Sequence, residues 1–131
     1  MNLNFGTIYI SGPMTGLPEH NFPAFNAAEE DLTAQGYSVV NPARNFGGRT
    51  DLDPAIYLHF DFLHILVSDG LYLLPGWSKS KGARAEYLIA HMSGKTILFH
   101  PEAEMGYVHT IVDRPEGVLS FAKETKDAAT D

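Results

Sequence analysis

Apolar residues along the chain come in short bursts separated by polar stretches rich in glycine or proline. Thr7-Ile8-Tyr9-Ile10 is β-branched and aromatic and is stopped by Gly12-Pro13, which predicts a buried first strand. After the polar loop "GPMTGLPEHN", Phe25, Ala28 and Leu32 recur at helical spacing, with Glu29, Glu30 and Asp31 mostly on the other side. Pro23 suits the first turn of that helix and Gly36 its C′ position. "YSVVNP" predicts the second strand and "ARNFGGRTDLD" a loop. Asp53-Pro54 opens a second helix running roughly to Val67. "DGLYLLPG" predicts a third strand, and its unbroken apolar run predicts burial on both faces. A third helix carries Glu86 and ends near Ser93-Gly94, and "KTILFH" predicts the fourth strand. Beyond Pro101 the pattern weakens. A short helix is expected over residues 116–124 and a frayed end at "KDAATD".

Strands alternating with helices of this length predict an α/β fold. The expected architecture is a single open, mostly parallel twisted sheet of four to five strands with helices on both faces, Rossmann- or flavodoxin-like. The 131 residues suit one domain with its own core, residues from about 102 onward forming a less regular extension. In such sheets ligands lie beyond the carboxyl ends of the strands. Three loops leave those ends: Ser11 to Asn21, Pro42 to Asp53, and Pro75 to Ser80.

Charge narrows the partners. Nine Lys and Arg face sixteen Asp and Glu, for a formal charge of −7. A protein that grips duplex phosphates is ordinarily basic, so extended nucleic acid is not an expected partner. The chain has no cysteine, which excludes disulfides, thiolate metal sites and cysteine nucleophiles. No apolar run approaches a membrane span, and "MNLNFGTIYISG" lacks the marks of a signal peptide. A cytoplasmic protein without a membrane partner is expected. The six histidines show no metal-ligand spacing, and neither a Walker A pattern nor G-x-G-x-x-G is present. No metal or cofactor is assigned.

"SKSKGARAE", residues 78–86, is where the chemistry concentrates. With Ser80 as N-cap, its oxygen accepts from the N–H of Gly82 or Ala83. The remaining N–H groups and the helix dipole then make an anion site, and Gly82 allows close approach. An ordinary capped helix reads the same way. Glu86 follows six residues on. An ionised carboxylate there can attack an electrophilic carbon, whereas the bland reading is a surface glutamate. Its helical neighbours Ala83, Ile89 and Ala90 provide no polar stripe for it. Asp61, between Phe60 and Phe62 on an apolar helix, needs a partner, a function, or a wet stripe shared with Tyr57 and His64. Asp69, at a strand start, reads as a cap or turn. Tyr9 can bring its hydroxyl to the site or sit in the core. Trp77 can stack on a base or cover the core edge.

"TIYISGPMTG", "FDFLHILVSDGLYLLPGW" and "SKGARAEYLIA" together resemble the nucleoside 2-deoxyribosyltransferase-like superfamily, and most closely the DUF4406 family common in phages and prophages. The resemblance covers about residues 5 to 100. It implies cleavage of the N-glycosidic bond of 2′-deoxyribonucleosides or their 5′-monophosphates, the sugar passing to a carboxylate and then to another base or to water. It also implies Glu86 as nucleophile, Asp61 handling base or sugar, and Tyr9 near the nucleophile. Ser11 and Gly12 in the first loop, with Ser80 and Gly82, match the segments that cradle a 5′-phosphate. In the nucleoside-using transferases an aspartate lies six residues before the nucleophile. Ser80 stands there in this chain, which leans toward a nucleotide. Their pocket is completed by a neighbouring subunit's C-terminal segment, to which "GYVHTIVDRPEG" does not match. Lys81 and Arg84 receive no role. The resemblance implies a homo-oligomer, a dimer or larger, with a small-molecule nucleoside or nucleotide as partner. Two other classes fit the same residues: a non-catalytic nucleotide-binding module, and an interaction protein using only the scaffold.

Overall fold

A computed structural model describes residues 6–105. The expected helix at 116–124 and the frayed end lie outside the described residues. Within them, four parallel strands alternate with three α-helices. In chain order these are β1 (Thr7–Ser11), α1 (Phe22–Ala34), β2 (Ser38–Val40), α2 (Pro54–Val67), β3 (Gly70–Leu73), α3 (Lys81–Met92) and β4 (Thr96–Phe99). Short 3-10 turns at Pro18–Asn21, Pro42–Gly48 and Trp77–Lys79 occupy the three loops expected to leave the carboxyl ends of β1, β2 and β3. The middle one was not legible as a turn.

The sheet order is β2-β1-β3-β4, every neighbouring pair parallel, with Tyr9 opposite Val40 on one side and Leu71 on the other. Alternation along β1 divides the core. Ile8 and Ile10 pack with Phe25, Ala28 and Leu32 of α1 on one face. Tyr9 packs with Leu71, Leu73, Ile65 of α2, and Ala83, Tyr87 and Ala90 of α3 on the other. Leu71 and Leu73 of the third strand are buried on one face, while Tyr72 on the other is half-buried, less than its apolar run predicts.

Local chemistry explains the element ends. Asp53 accepts from Ala55 N–H at 2.9 Å and caps α2 ahead of Pro54. Asp69 Oδ2 accepts from Thr7 N–H at 2.8 Å, tying the start of β3 to the start of β1, far from the carboxyl ends. At the end of α1, Gly36 has φ 103°, a conformation glycine adopts without steric cost. β1 connects through α1 to β2 on one side, while its other neighbour is β3. Loops therefore diverge at the carboxyl ends of β1 and β3, and a crevice opens there by topology.

Candidate active site

The start of α3 lies at that switch point. Ser80 is its N-cap, its Oγ accepting from Ala83 N–H at 3.1 Å. Arg84 N–H bonds to Ser80 O at 2.9 Å, while the N–H groups of Lys81 and Gly82 have no hydrogen-bond partner among the described residues. A Cβ built on Gly82 meets nothing within 4 Å, so neighbouring packing does not require glycine there. Gly12 differs. Its Cβ would fall 2.8 Å from Leu74 Cβ, so packing of the β1 loop against the end of β3 accounts for that glycine.

Glu86 is no surface glutamate. It is 7% exposed on the inner side of α3, and reaches the carboxyl end of β1. Ser11 Oγ donates to Glu86 Oε1 at 2.6 Å and Tyr9 Oη donates to Oε2 at 3.1 Å. Tyr9 and Ser11 are i and i+2 on one strand, so the pleat turns both toward α3. Tyr9 serves core and site together: its ring is fully buried and its hydroxyl ends on the carboxylate.

Asp61 comes to the same carboxylate from α2. It is partly buried, and its charge pushes both the Glu86 carboxyl and the Tyr9 hydroxyl up. Tyr57 and His64, the other members of that candidate stripe, are half-buried like Asp61 and bond to backbone. Tyr57 Oη donates to Arg49 O at 2.8 Å and accepts from Leu52 N–H at 3.1 Å, and His64 Nδ1 pairs with Phe60 O at 3.1 Å. Asn45, which the pattern of the sequence did not single out, donates from Nδ2 to Asp61 Oδ1 at 2.9 Å. The turn that delivers it passes through Phe46 at φ 51°, an uncommon region for a bulky residue. Phe46 lies tilted 4.8 Å from Phe60 and edge-on 5.5 Å from Tyr57, which holds the loop against α2. An asparagine in a glycine-rich loop carries no periodic signal, so only the folded loop reveals it.

Burial pushes the Glu86 carboxyl up from its ordinary 4.5 to about 8, and the neighbouring Asp61 charge adds to that. The Ser11 and Tyr9 hydroxyls oppose the rise by donating to the ionised form. Asp61 is also raised by burial, against neighbouring donor groups, the Asn45 amide among them, that favour its charge. Two carboxyls this close do not ionise independently. Charge on either one disfavours charge on the other. Tyr9 is raised by burial and by both carboxylates, and stays a neutral donor.

Trp77 is set apart from this constellation. It is fully buried, 5.2 Å from the Tyr87 ring, and its Nε1–H donates to Glu104 O at 2.9 Å. No face of the indole is open to a base. The Glu104 carboxylate also accepts from Gly76 N–H, Ser78 N–H and Ser78 Oγ at 2.8, 3.0 and 2.6 Å, and Arg84 Nη1 donates to Ser78 O at 3.1 Å. This lattice fixes the β3–α3 turn and hence the cap. Tyr9, Ser11, Asp61 and Glu86 are thus brought together, Ser80 and Gly82 stand one to two turns up α3, and Gly12 and Trp77 serve packing. No group of three metal-binding side chains forms among the described residues, and no helix there is long and apolar enough to cross a membrane.

The family model described as Domain of unknown function (DUF4406) matches residues 6–99, and the chain belongs to that family. No curated protein matches the sequence.

Proposed function

We propose that this DUF4406 protein cleaves or transfers at the N-glycosidic bond of 2′-deoxyribonucleosides or their 5′-monophosphates, with Glu86 as nucleophile. The observation that carries this reading is the buried Glu86 carboxylate at the β1–β3 switch point, with one hydroxyl donor on each oxygen and a second carboxyl beside it. The resemblance to nucleoside 2-deoxyribosyltransferases at "IYISGP" and "SKGARAE" points to the same carboxylate.

The chemistry requires one proton between the two carboxyls. Glu86 attacks C1′ in its ionised form, forming the C1′–O ester bond as the C1′–N bond breaks. The proton of the pair must then lie on Asp61, which passes it to the departing base nitrogen. Ser11 and Tyr9, donating to Glu86, favour that distribution. Asn45 occupies Asp61 Oδ1 and leaves Oδ2 to carry the proton. Water or an acceptor base then opens the ester, its proton passing to Asp61, and regenerates the Glu86 carboxylate. A 5′-phosphate fits the free N–H groups of Lys81 and Gly82, with the Ser80 hydroxyl proton still available to donate. Six residues of helix separate Ser80 from Glu86, about 9 Å of rise, which suits the span from a 5′-phosphate to an anomeric carbon.

The test is incubation of the full chain with a panel of deoxynucleosides and their 5′-monophosphates, with and without an acceptor base. Free base from a monophosphate, lost in Glu86→Ala with the fold intact, supports the reading. Exchange into the acceptor identifies a transferase and release alone a hydrolase. Tight binding of an unaltered nucleotide, unchanged in Glu86→Gln, would replace it with a non-catalytic binding module.

A further inference from the structure

Ser78 is buried and uses its N–H, hydroxyl and carbonyl at once. The N–H and Oγ donate to Glu104 Oε2, and the carbonyl accepts from Arg84 Nη1. Gly76, at φ 87°, turns its own N–H to Glu104 Oε1. Three donors from one short turn thus close on a single carboxylate. A turn that gathers donors in this way is an anion nest, of the kind that receives a phosphate or another free anion. Here the chain supplies the anion itself, from the segment after β4. Burial works against the Glu104 charge, but the Ser78 hydroxyl and the N–H groups outweigh it and hold the carboxyl below its ordinary range.

The nest is continuous with the start of α3. Two residues beyond Ser78 the chain reaches the cap at Ser80, whose N–H bonds to Trp77 O at 3.0 Å. Arg84, without a role in the sequence pattern, is a second tie, running from the first turn of α3 back to Ser78 O. Removing the carboxylate would leave the buried Ser78 N–H unsatisfied, a loss the turn escapes only by shifting. Glu86 is less exposed to such a shift, because Ser11 and Tyr9 hold it from the sheet.

We propose that Glu104 is a positioning residue: its carboxylate, the tethered ligand of the Gly76–Ser78 nest, holds the start of α3 in the form that receives a substrate phosphate, and a free carboxylate can replace it. This rests on the nucleotide reading above, but it concerns affinity and not bond cleavage.

Calorimetric binding of the four common deoxynucleoside 5′-monophosphates to Glu86→Gln tests it without turnover. Adding Glu104→Ala is expected to weaken the tightest of them roughly tenfold, about the worth of one hydrogen bond. The matching unphosphorylated nucleoside is expected to bind as before, whereas general loosening of the fold would weaken both alike. The sign is informative. A carboxylate acting only through its charge repels a phosphate, so its removal would tighten binding. Acetate, compared with chloride at equal ionic strength, is expected to restore the lost affinity in Glu104→Ala and to do nothing with Glu104 present. Trp77 is the one tryptophan of the chain, and its indole bonds to Glu104 O, so its emission reports the same nest. It is expected to shift to the red in Glu104→Ala and to return with acetate. Monophosphate binding that is unchanged or tighter in Glu104→Ala, equal loss for nucleoside and monophosphate, or no response to acetate overturns the proposal. Should Glu104→Ala not fold, Glu104→Gln keeps the size, sets an N–H₂ against the nest donors, and must show the same selective loss. Absence of any binding by the wild type and by Glu86→Gln removes the nucleotide reading, and this proposal with it.

Discussion

The Ser11 hydroxyl donates to Glu86 Oε1 at 2.6 Å, joining the carboxyl end of the first strand to the inner side of a helix 75 positions later in the chain. The bond favours the ionised carboxylate against the burial that opposes it. Ser11→Ala is therefore expected to raise the Glu86 pKa further and to lower kcat/KM by about 10²-fold, as loss of one preorganised donor does. Tyr9→Phe acts in the same direction through Oε2. The acid limb of the pH–rate profile is expected to move to higher pH in both, and Ser11→Thr to restore it. An unmoved limb contradicts the role given to these hydroxyls.

The same carboxyl leaves a trace in stability without substrate. Its folded pKa is raised from 4.5 to about 8. Below the lower value both states are protonated and the group is neutral to folding. Between the two, the unfolded chain ionises while the folded one keeps its proton, so stability falls as pH rises; above the upper value the loss is constant. Glu86→Gln removes this slope. The variant is expected to gain on the wild type across that window, by on the order of 2 kcal/mol at its upper end. Urea denaturation at several pH values reads the difference, and a difference that does not change with pH contradicts it.

Asn45→Ala isolates the other carboxyl. The lost donor favours the charge on Asp61, so the Asp61 pKa is expected to rise and the shared proton to move toward it. Carbon-13 titration of the side-chain carboxyls measures this directly. No change in either carboxyl would leave Asn45 a bystander of the loop.

Gly12 and Gly82 separate packing from ligand approach. Gly12→Ala sets a methyl against Leu74 Cβ and is expected to cost about 1–3 kcal/mol. Gly82→Ala meets open space near the start of α3 and is expected to stabilise by about 0.5–1 kcal/mol. If phosphate rests on the N–H groups there, the more stable variant raises KM for a monophosphate by roughly tenfold, about the worth of one hydrogen bond. An unchanged KM places the phosphate elsewhere.

Much of the fold was legible because periodicity reports burial. The short apolar strands, the helical stripe through Phe25, Ala28 and Leu32, the helix start at Asp53-Pro54 and the cap at Ser80 all appear where local pattern placed them. The environment of Glu86 was legible only in part. The apolar neighbours of Glu86 on α3 hinted at burial, but its two hydroxyl donors come from a strand whose pairing is long-range. Trp77 could not be placed by pattern. Its burial depends on Glu104, a residue 27 positions away whose backbone oxygen takes the indole proton. Asn45 was invisible for a similar reason, since its direction depends on a turn through a left-handed phenylalanine. The α2 helix reads as an ordinary apolar helix, and only the folded chain separates the side that meets the site from the side left outside.

Intact-mass analysis of the acid-quenched protein during turnover of a deoxynucleoside 5′-monophosphate tests Glu86 as nucleophile most directly. The expected result is a population heavier by one deoxyribose phosphate residue, mapped by peptide digestion to the segment containing Glu86 and absent from Glu86→Gln. Release of free base with no adduct, or an adduct on any other residue, would contradict the account.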